Sequence, residues 1–338
     1  HALLRPSHRR ATAVSVPEDP GTKSITVTRH VPRLRKSSSW NDGALIPAAT
    51  SEDVRAEAVF NKSTATLNDG DPIEYLKRKA RPVYPLFVRL FTKADLIHAP
   101  STYLGNFARS MGYTGDIELI PNALDVEDFV REYPQKEIDT IKRKLGKKPG
   151  NIFLVTTSRL VKKNAVDDVI KSLALLPKQI HFFILGKGPD QEKYQALAKS
   201  EGVAERVHFL GHIDLREIPK YLKACDIFVR PSLSEGMGNS PIEAMAAGLP
   251  VISTQSGGLA DSIIDLDRNP GQSPTALAVN TRDPQGIARQ VQRFLSNTEE
   301  RDHIVKNARE FATTRYNSAT IERAMRERVF NKLFNRSY

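Results

Sequence analysis

From Asn151 onward the chain repeats one unit: a short apolar run, a polar turn, then a segment with helical spacing. The runs IFLVTT (152–157), HFFILG (181–186), VHFLG (207–211), DIFVRP (226–231), PVIST (250–254) and Ala276–Val279 are apolar at most positions rather than at every second one. Strands of that kind are covered on both faces, which is the condition of a parallel sheet. Helices are expected between them at about 165–175, 190–201 and 215–224, from near Ser240, and then at about 283–296, 299–314 and 317–334. Right-handed crossovers turn this alternation into an α/β, doubly wound, Rossmann-like domain.

Upstream the pattern is weaker. ADLIHA (94–99) and Ile117–Ile120 read as short strands. Ser101–Met111 starts on a serine, presents Leu104, Phe107 and Ala108 on one face and is followed by Gly112, the signature of a capped helix. Between Ile73 and Leu90 the apolar spacing is near-helical, but Pro82 and Pro85 predict short pieces. The charged run Lys136–Lys148, closed by Pro149-Gly150, separates the halves. Residues 1–63, rich in Arg, Ser, Thr and Pro, hold too little apolar surface to offset the entropy of ordering. The expected organisation is a loose or altered segment at 1–63, a partial Rossmann-like domain at 64–148, a complete one at 149–315, and a helix at 316–338 packing back toward the first domain.

The 338 residues, 40% hydrophobic and 26% charged, suit a globular chain of two domains. No run approaches the roughly 20 apolar residues of a membrane-spanning helix. The lone Cys225 excludes a disulfide framework and a cysteine metal site, and no secretory leader is expected, so a cytoplasmic location fits. A net charge of +11 attracts phosphorylated ligands and anionic surfaces. Without zinc-knuckle spacing or an RNA-binding aromatic signature, nucleic acid is not the expected partner.

In open α/β sheets ligands bind beyond the carboxyl ends of the strands. Three of those loops carry anion-binding chemistry. Ser234-Glu235-Gly236-Met237-Gly238-Asn239-Ser240-Pro241-Ile242-Glu243 leaves a buried strand through glycines and enters a helix. Gly236 and Gly238 allow close backbone approach, Pro241 suits a first helical turn, and the amides there favour phosphate. Glu243 has two readings: a capping box with Ser240, or a ligand contact. Glu235 has less structural reason to be there. Ser158-Arg159-Leu160-Val161-Lys162-Lys163-Asn164 brings cations to the end of the first strand of this half, where a diphosphate or simple solvation would account for them. Ser256-Gly257-Gly258-Leu259 adds amides at a third strand end.

The stretch SRLVKKN…ILGKGP…FLGHI…ACDIFVRPSLSEGMGNSPIEAMAAGLPVISTQSGG closely resembles the donor half of retaining GT-B glycosyltransferases of family four, glycosyl transferases group 1, over about residues 94–335. The resemblance implies two Rossmann-like domains with a nucleotide sugar between them, retention at the anomeric carbon, and no metal or other cofactor. Carried over by position, Glu235 would hold the sugar hydroxyls and Glu243 the ribose. Arg159 and Lys163 would neutralise the diphosphate, with Glu235 forming the catalytic set. Met237, Gly238 and Asn239 would meet sugar and phosphate through amides, with Gly236, Ser240, Gly257 and Gly258 completing the donor site and His212 near the base. Two features depart from the pattern. Many relatives carry the lysine where this chain has Asn164, and the first domain is incomplete.

The resemblance therefore implies transfer of a hexose from a nucleotide-diphosphate sugar to a saccharide or lipid-linked acceptor. A binding-only remnant and an epimerase are the competing readings; a nicotinamide dehydrogenase lacks its Gly-x-Gly-x-x-Gly turn after the first strand. Asp69-Gly70-Asp71 next to Pro72 reads as a turn or as a metal-binding pair, and His98 as a core or rim residue. Residues 75–93 mix cations with aromatic and aliphatic side chains. They read as a solvated basic face or as a peripheral contact with an anionic membrane at its inner face.

Overall fold

The computed structural model describes residues 84–334 and two short strands upstream, β1 (Thr26–Thr28) and β2 (Ala56–Glu57). Asp69-Gly70-Asp71, Lys77, Arg78, Lys79, Arg81 and nearly all of residues 1–63 lie outside the described residues. Helix α1 (Tyr84–Thr92) leads into β3 (Leu96–Ala99), α2 (Thr102–Ser110) and β4 (Ile117–Leu119). The order β2-β1-β3-β4 makes a mixed sheet, in which β3 and β4 are parallel and β1 runs antiparallel to both its neighbours. Pro85 does not break α1. It stands in the first turn, where its missing N–H costs no hydrogen bond.

Two further helices, α3 (Val126–Val130) and α4 (Gln135–Lys144), link the halves. The charged run at 136–148 is thus mostly helix rather than a plain separator. Ile138, Ile141 and Leu145, spaced i, i+3, i+7, form a narrow apolar stripe that packs inward while the charges face water.

The second half alternates β5 (Ile152–Thr157), α5 (Val166–Leu173), β6 (Ile180–Leu185), α6 (Gln191–Ser200), β7 (Val207–Gly211), α7 (Ile218–Ala224), β8 (Ile227–Arg230), α8 (Asn239–Ala246), β9 (Val251–Thr254) and β10 (Leu277–Val279). Its strands are parallel, in the order β10-β9-β8-β5-β6-β7. Alternate residues supply two cores: Phe153, Val155, Phe183 and Phe228 on one face, Leu154, Phe182, Ile184 and Val229 on the other. That double burial is why the strands are apolar almost throughout. The strand order reverses between β5 and β8, so their connections leave for opposite sides of the sheet, the point at which sheets of this kind form a ligand crevice.

Helices α9 (Pro284–Ser296) and α10 (Thr298–Arg315) complete this half. The chain then crosses back through α11 (Ser318–Ala324), a π-helical turn (Met325–Phe330) and α12 (Asn331–Phe334). Ile321, Val329 and Leu333 pack against Leu96 and Ile120 of the first half. Beside them Arg328 and Lys332 both reach Glu118 of β4, at 2.7 Å and 2.5 Å. Burial alone would raise the Glu118 pKa, but hydrogen bonds from Lys332 and Arg328 outweigh it and hold the carboxyl below its usual range. A depressed carboxyl stabilises the fold above its unfolded pKa and loses that contribution as pH falls through the folded value. Glu118→Gln is expected to cost about 1 kcal/mol at neutral pH, or about 2–4 °C in melting temperature. The gap between wild type and variant should narrow progressively as pH falls below the ordinary carboxylate range, in thermal unfolding followed against pH. A gap that does not narrow as pH falls below the ordinary carboxylate range would rule out the ion pairs as its source.

Candidate functional site at the strand-order reversal

The loops after β5 and β8 meet at the crevice. Arg159 follows the end of β5 and is exposed; Lys163 stands in a 3-10 turn (Lys162–Asn164) with its side chain 13% exposed. The loops are stitched by backbone, Leu233 N donating to Lys163 O at 2.8 Å. Glu235, 7% exposed, lies between two cations: Arg230 Nη2 is 2.6 Å from Oε1 and Lys163 Nζ 3.4 Å from Oε2. Both carboxylate oxygens of Glu235 are thus held by largely buried cations.

Arg230 was not among the residues singled out from the sequence. It ends β8 at 9% exposure and donates five hydrogen bonds. Nε reaches Ser232 Oγ at 3.0 Å, Nη1 reaches Thr157 O at 2.6 Å and Ser240 Oγ at 3.0 Å, and Nη2 reaches Asn164 Oδ1 at 3.2 Å and Glu235 Oε1 at 2.6 Å. Asn164 in turn donates to Arg159 O at 2.6 Å. The signal available in the sequence was a guanidinium at the end of an otherwise apolar strand, where it must find partners or go unsatisfied.

Helix α8 begins at Asn239, with Gly238 (φ 83°) as its cap, so Ser240 is already inside the first turn. Ser240 therefore does not stand at the N-cap position that a capping box with Glu243 requires, and its hydroxyl accepts from Arg230 Nη1. Pro241 lies in the first turn, whose amides have no intrahelical partner. Asn239 Oδ1 is buried without a hydrogen-bond partner among the described residues. Glu243 is half-buried one turn along.

Gly257 and Gly258 work mainly by letting two loops touch. A Cβ on Gly257 would lie 2.3 Å from Glu235 O, and one on Gly258 would lie 1.9 Å from Gly236 O. The Gly258 amide already donates to Glu235 O at 2.8 Å, so it is a loop contact and not an open donor for a ligand. Met237 sends its side chain into the core, where its sulfur receives the Asn122 amide at 3.2 Å. His212 is exposed just beyond β7, along the same edge of the sheet. His98 is half-buried in β3; its Nε2 donates to Ile120 O at 2.7 Å, and burial lowers its pKa.

The first half reaches this site through the N-terminus of α2. Ser101 Oγ caps α2 by accepting from Leu104 N at 3.2 Å and donates to Gly236 O at 2.5 Å. Thr102 N donates to Asp261 Oδ2 at 2.7 Å, and Tyr103 hydrogen-bonds the Ser234 side chain.

The family described as glycosyl transferases group 1 matches residues 137–311, just over half of the sequence and the whole of the crevice. The chain belongs to this family. It is similar to a GDP-mannose-dependent alpha-(1-6)-phosphatidylinositol monomannoside mannosyltransferase of Mycobacterium tuberculosis, 28% identical over 245 residues, 69% of this chain and 61% of that protein. It is also similar to the alpha-monoglucosyldiacylglycerol synthase of Acholeplasma laidlawii, 26% identical over 41% of this chain and 36% of the relative. The chain spans about half to three fifths of the length of the mycobacterial relatives it matches. Among solved structures, Anabaena HepE in complex with UDP and glucose superposes with a TM-score of 0.67 at 22% identity, covering 74% of this chain and 67% of that one. Sucrose-phosphate synthase from Thermosynechococcus elongatus gives 0.67 at 23% identity, covering 78% and 66%. These likenesses establish the GT-B fold for this family member.

The loop packing gives a direct test. Gly258→Ala should force Gly236 away and cost about 2 kcal/mol, a fall of about 5 °C in melting temperature. Gly236→Ala, whose Cβ would meet nothing nearer than Leu104 Cδ1 at 3.4 Å, should melt close to wild type. Equal melting of the two variants would contradict the loop contact.

Proposed function

We propose that the chain is the catalytic part of a retaining glycosyltransferase that moves a hexose from a nucleotide-diphosphate sugar to a saccharide or lipid-linked acceptor. The observation that carries this reading is the convergence of Lys163, Glu235 and the first turn of α8 on the crevice between β5 and β8, with Arg159 at its rim. Breaking the bond from the anomeric carbon to the β-phosphate leaves negative charge on the phosphate. Arg159, Lys163 and the α8 amides stand where that charge develops and would stabilise it more in the transition state than in the ground state. The oxocarbenium-like sugar is then attacked from the side the diphosphate leaves, which retains configuration. Glu235 accepts sugar hydroxyls, Glu243 the ribose hydroxyls, and His212 borders the base; no metal or cofactor takes part in this scheme.

The acceptor would enter from the side of the first half, above α2. The lipid-containing names of two relatives favour a lipid-linked acceptor and a place at the inner face of a membrane. Residues 75–93 supply the contact in that reading, and of these only 84–93 lie among the described residues.

Thermal unfolding with UDP, GDP, UDP-glucose and GDP-mannose tests the donor site. One base series should raise the melting temperature by several degrees at saturating ligand. Arg159→Ala and Glu243→Ala should each weaken that ligand about tenfold, the loss of one charged hydrogen bond. Indifference to all four compounds would remove the donor site from the proposal.

A further inference from the structure

We infer that Arg230 is a positioning residue for the donor sugar: its guanidinium fixes the Glu235 carboxylate in the orientation that accepts the sugar's hydroxyls. The inference rests on the donor-site reading above and adds the group through which Glu235 is held.

A guanidinium offers five N–H donors in one plane, and Arg230 makes five hydrogen bonds. Nothing is left over for a ligand, so Arg230 acts through its neighbours and not as a phosphate clamp. Its partners are the segments that line the crevice: the end of β5, the basic loop through Asn164, the Glu235 loop and the first turn of α8. Of these, the carboxylate is the charged partner; its Oε1 lies 2.6 Å from Nη2, as close as the Thr157 carbonyl is to Nη1. That leaves Oε2 near Lys163, on the side of the basic loop. Because Ser240, Thr157 and Asn164 hold the plane of the guanidinium, the plane in turn fixes where Oε1 sits. Lysine has the charge but not the fork, so it cannot hold the same set at once.

Cohesion alone would not require a cation here. An apolar side chain of similar size at the end of a buried strand avoids the desolvation cost of a charge and often packs as well or better. The arginine is explained by what it orients.

The test uses the full chain and isothermal titration with UDP, GDP, UDP-glucose and GDP-mannose. If no diphosphate binds wild type, the donor-site reading fails and this inference with it. If a diphosphate binds but neither hexose conjugate does, Glu235 has no sugar to hold and the inference alone falls. With a binding pair in hand, Arg230→Lys is expected to keep diphosphate affinity within about threefold while conjugate affinity falls about tenfold, the size of one misplaced charged hydrogen bond. Glu235→Gln should show the same selective loss. The double variant should fall no further than the weaker single, since one residue acts through the other. Equal losses on diphosphate and conjugate, or losses that add in the double variant, would overturn the inference. Should Arg230→Lys not fold, Asn164→Asp serves instead, because a second carboxylate on Nη2 competes with Glu235. Unchanged conjugate affinity in that variant overturns the inference equally.

Discussion

A single buried ion pair governs the geometry of the crevice. Taking a carboxylate and a guanidinium out of water costs several kcal/mol each unless their hydrogen bonds are replaced. Arg230 and Glu235 meet that condition only if the loop after β5, the turn after β8 and the start of α8 all stand where they do. The desolvation penalty therefore acts as a constraint on loop conformation. Any rearrangement that separates these segments leaves a charge buried without its partner, which is far more costly than losing an exposed contact.

Glycines make the constraint geometrically possible. Gly186 and Gly188 lie against the carbonyls of Ser158 and Leu160, where a Cβ would sit at 2.0 Å and 2.2 Å, and Gly257 and Gly258 lie against Glu235 and Gly236 in the same manner. Four loop ends thus pack through bare backbone. Side chains on these residues would push the cations and the carboxylate apart before any ligand arrived.

Much of this was readable beforehand, and for physical reasons. Strands buried on both faces are apolar at most positions, so all six strands of the large sheet stand out in the sequence and match within a residue or two. The serine and glycine around α2 announced its ends, since both answer local backbone needs. What escaped were features decided at a distance. Helix α4 hides two apolar residues, with Leu145 just past its end, among charges, and its helicity follows from the surface it packs on. The capping box was a sound local pattern, but the helix starts early, on the Gly238 turn, which moves Ser240 inside it. Arg230 looked like an ordinary strand end because its five partners come from segments up to 73 residues away.

The serine at the head of α2 has a consequence for how the two halves can part. Its hydroxyl serves the helix that it starts and the Gly236 carbonyl across the divide, while Asp261 from the far side satisfies the next amide. Swinging the halves apart would strip two hydrogen bonds from one helix terminus together, at about 1 kcal/mol each. The stability of a nine-residue helix is in this way tied to the width of the cleft. A chain whose cleft stood open would also fray at Thr102.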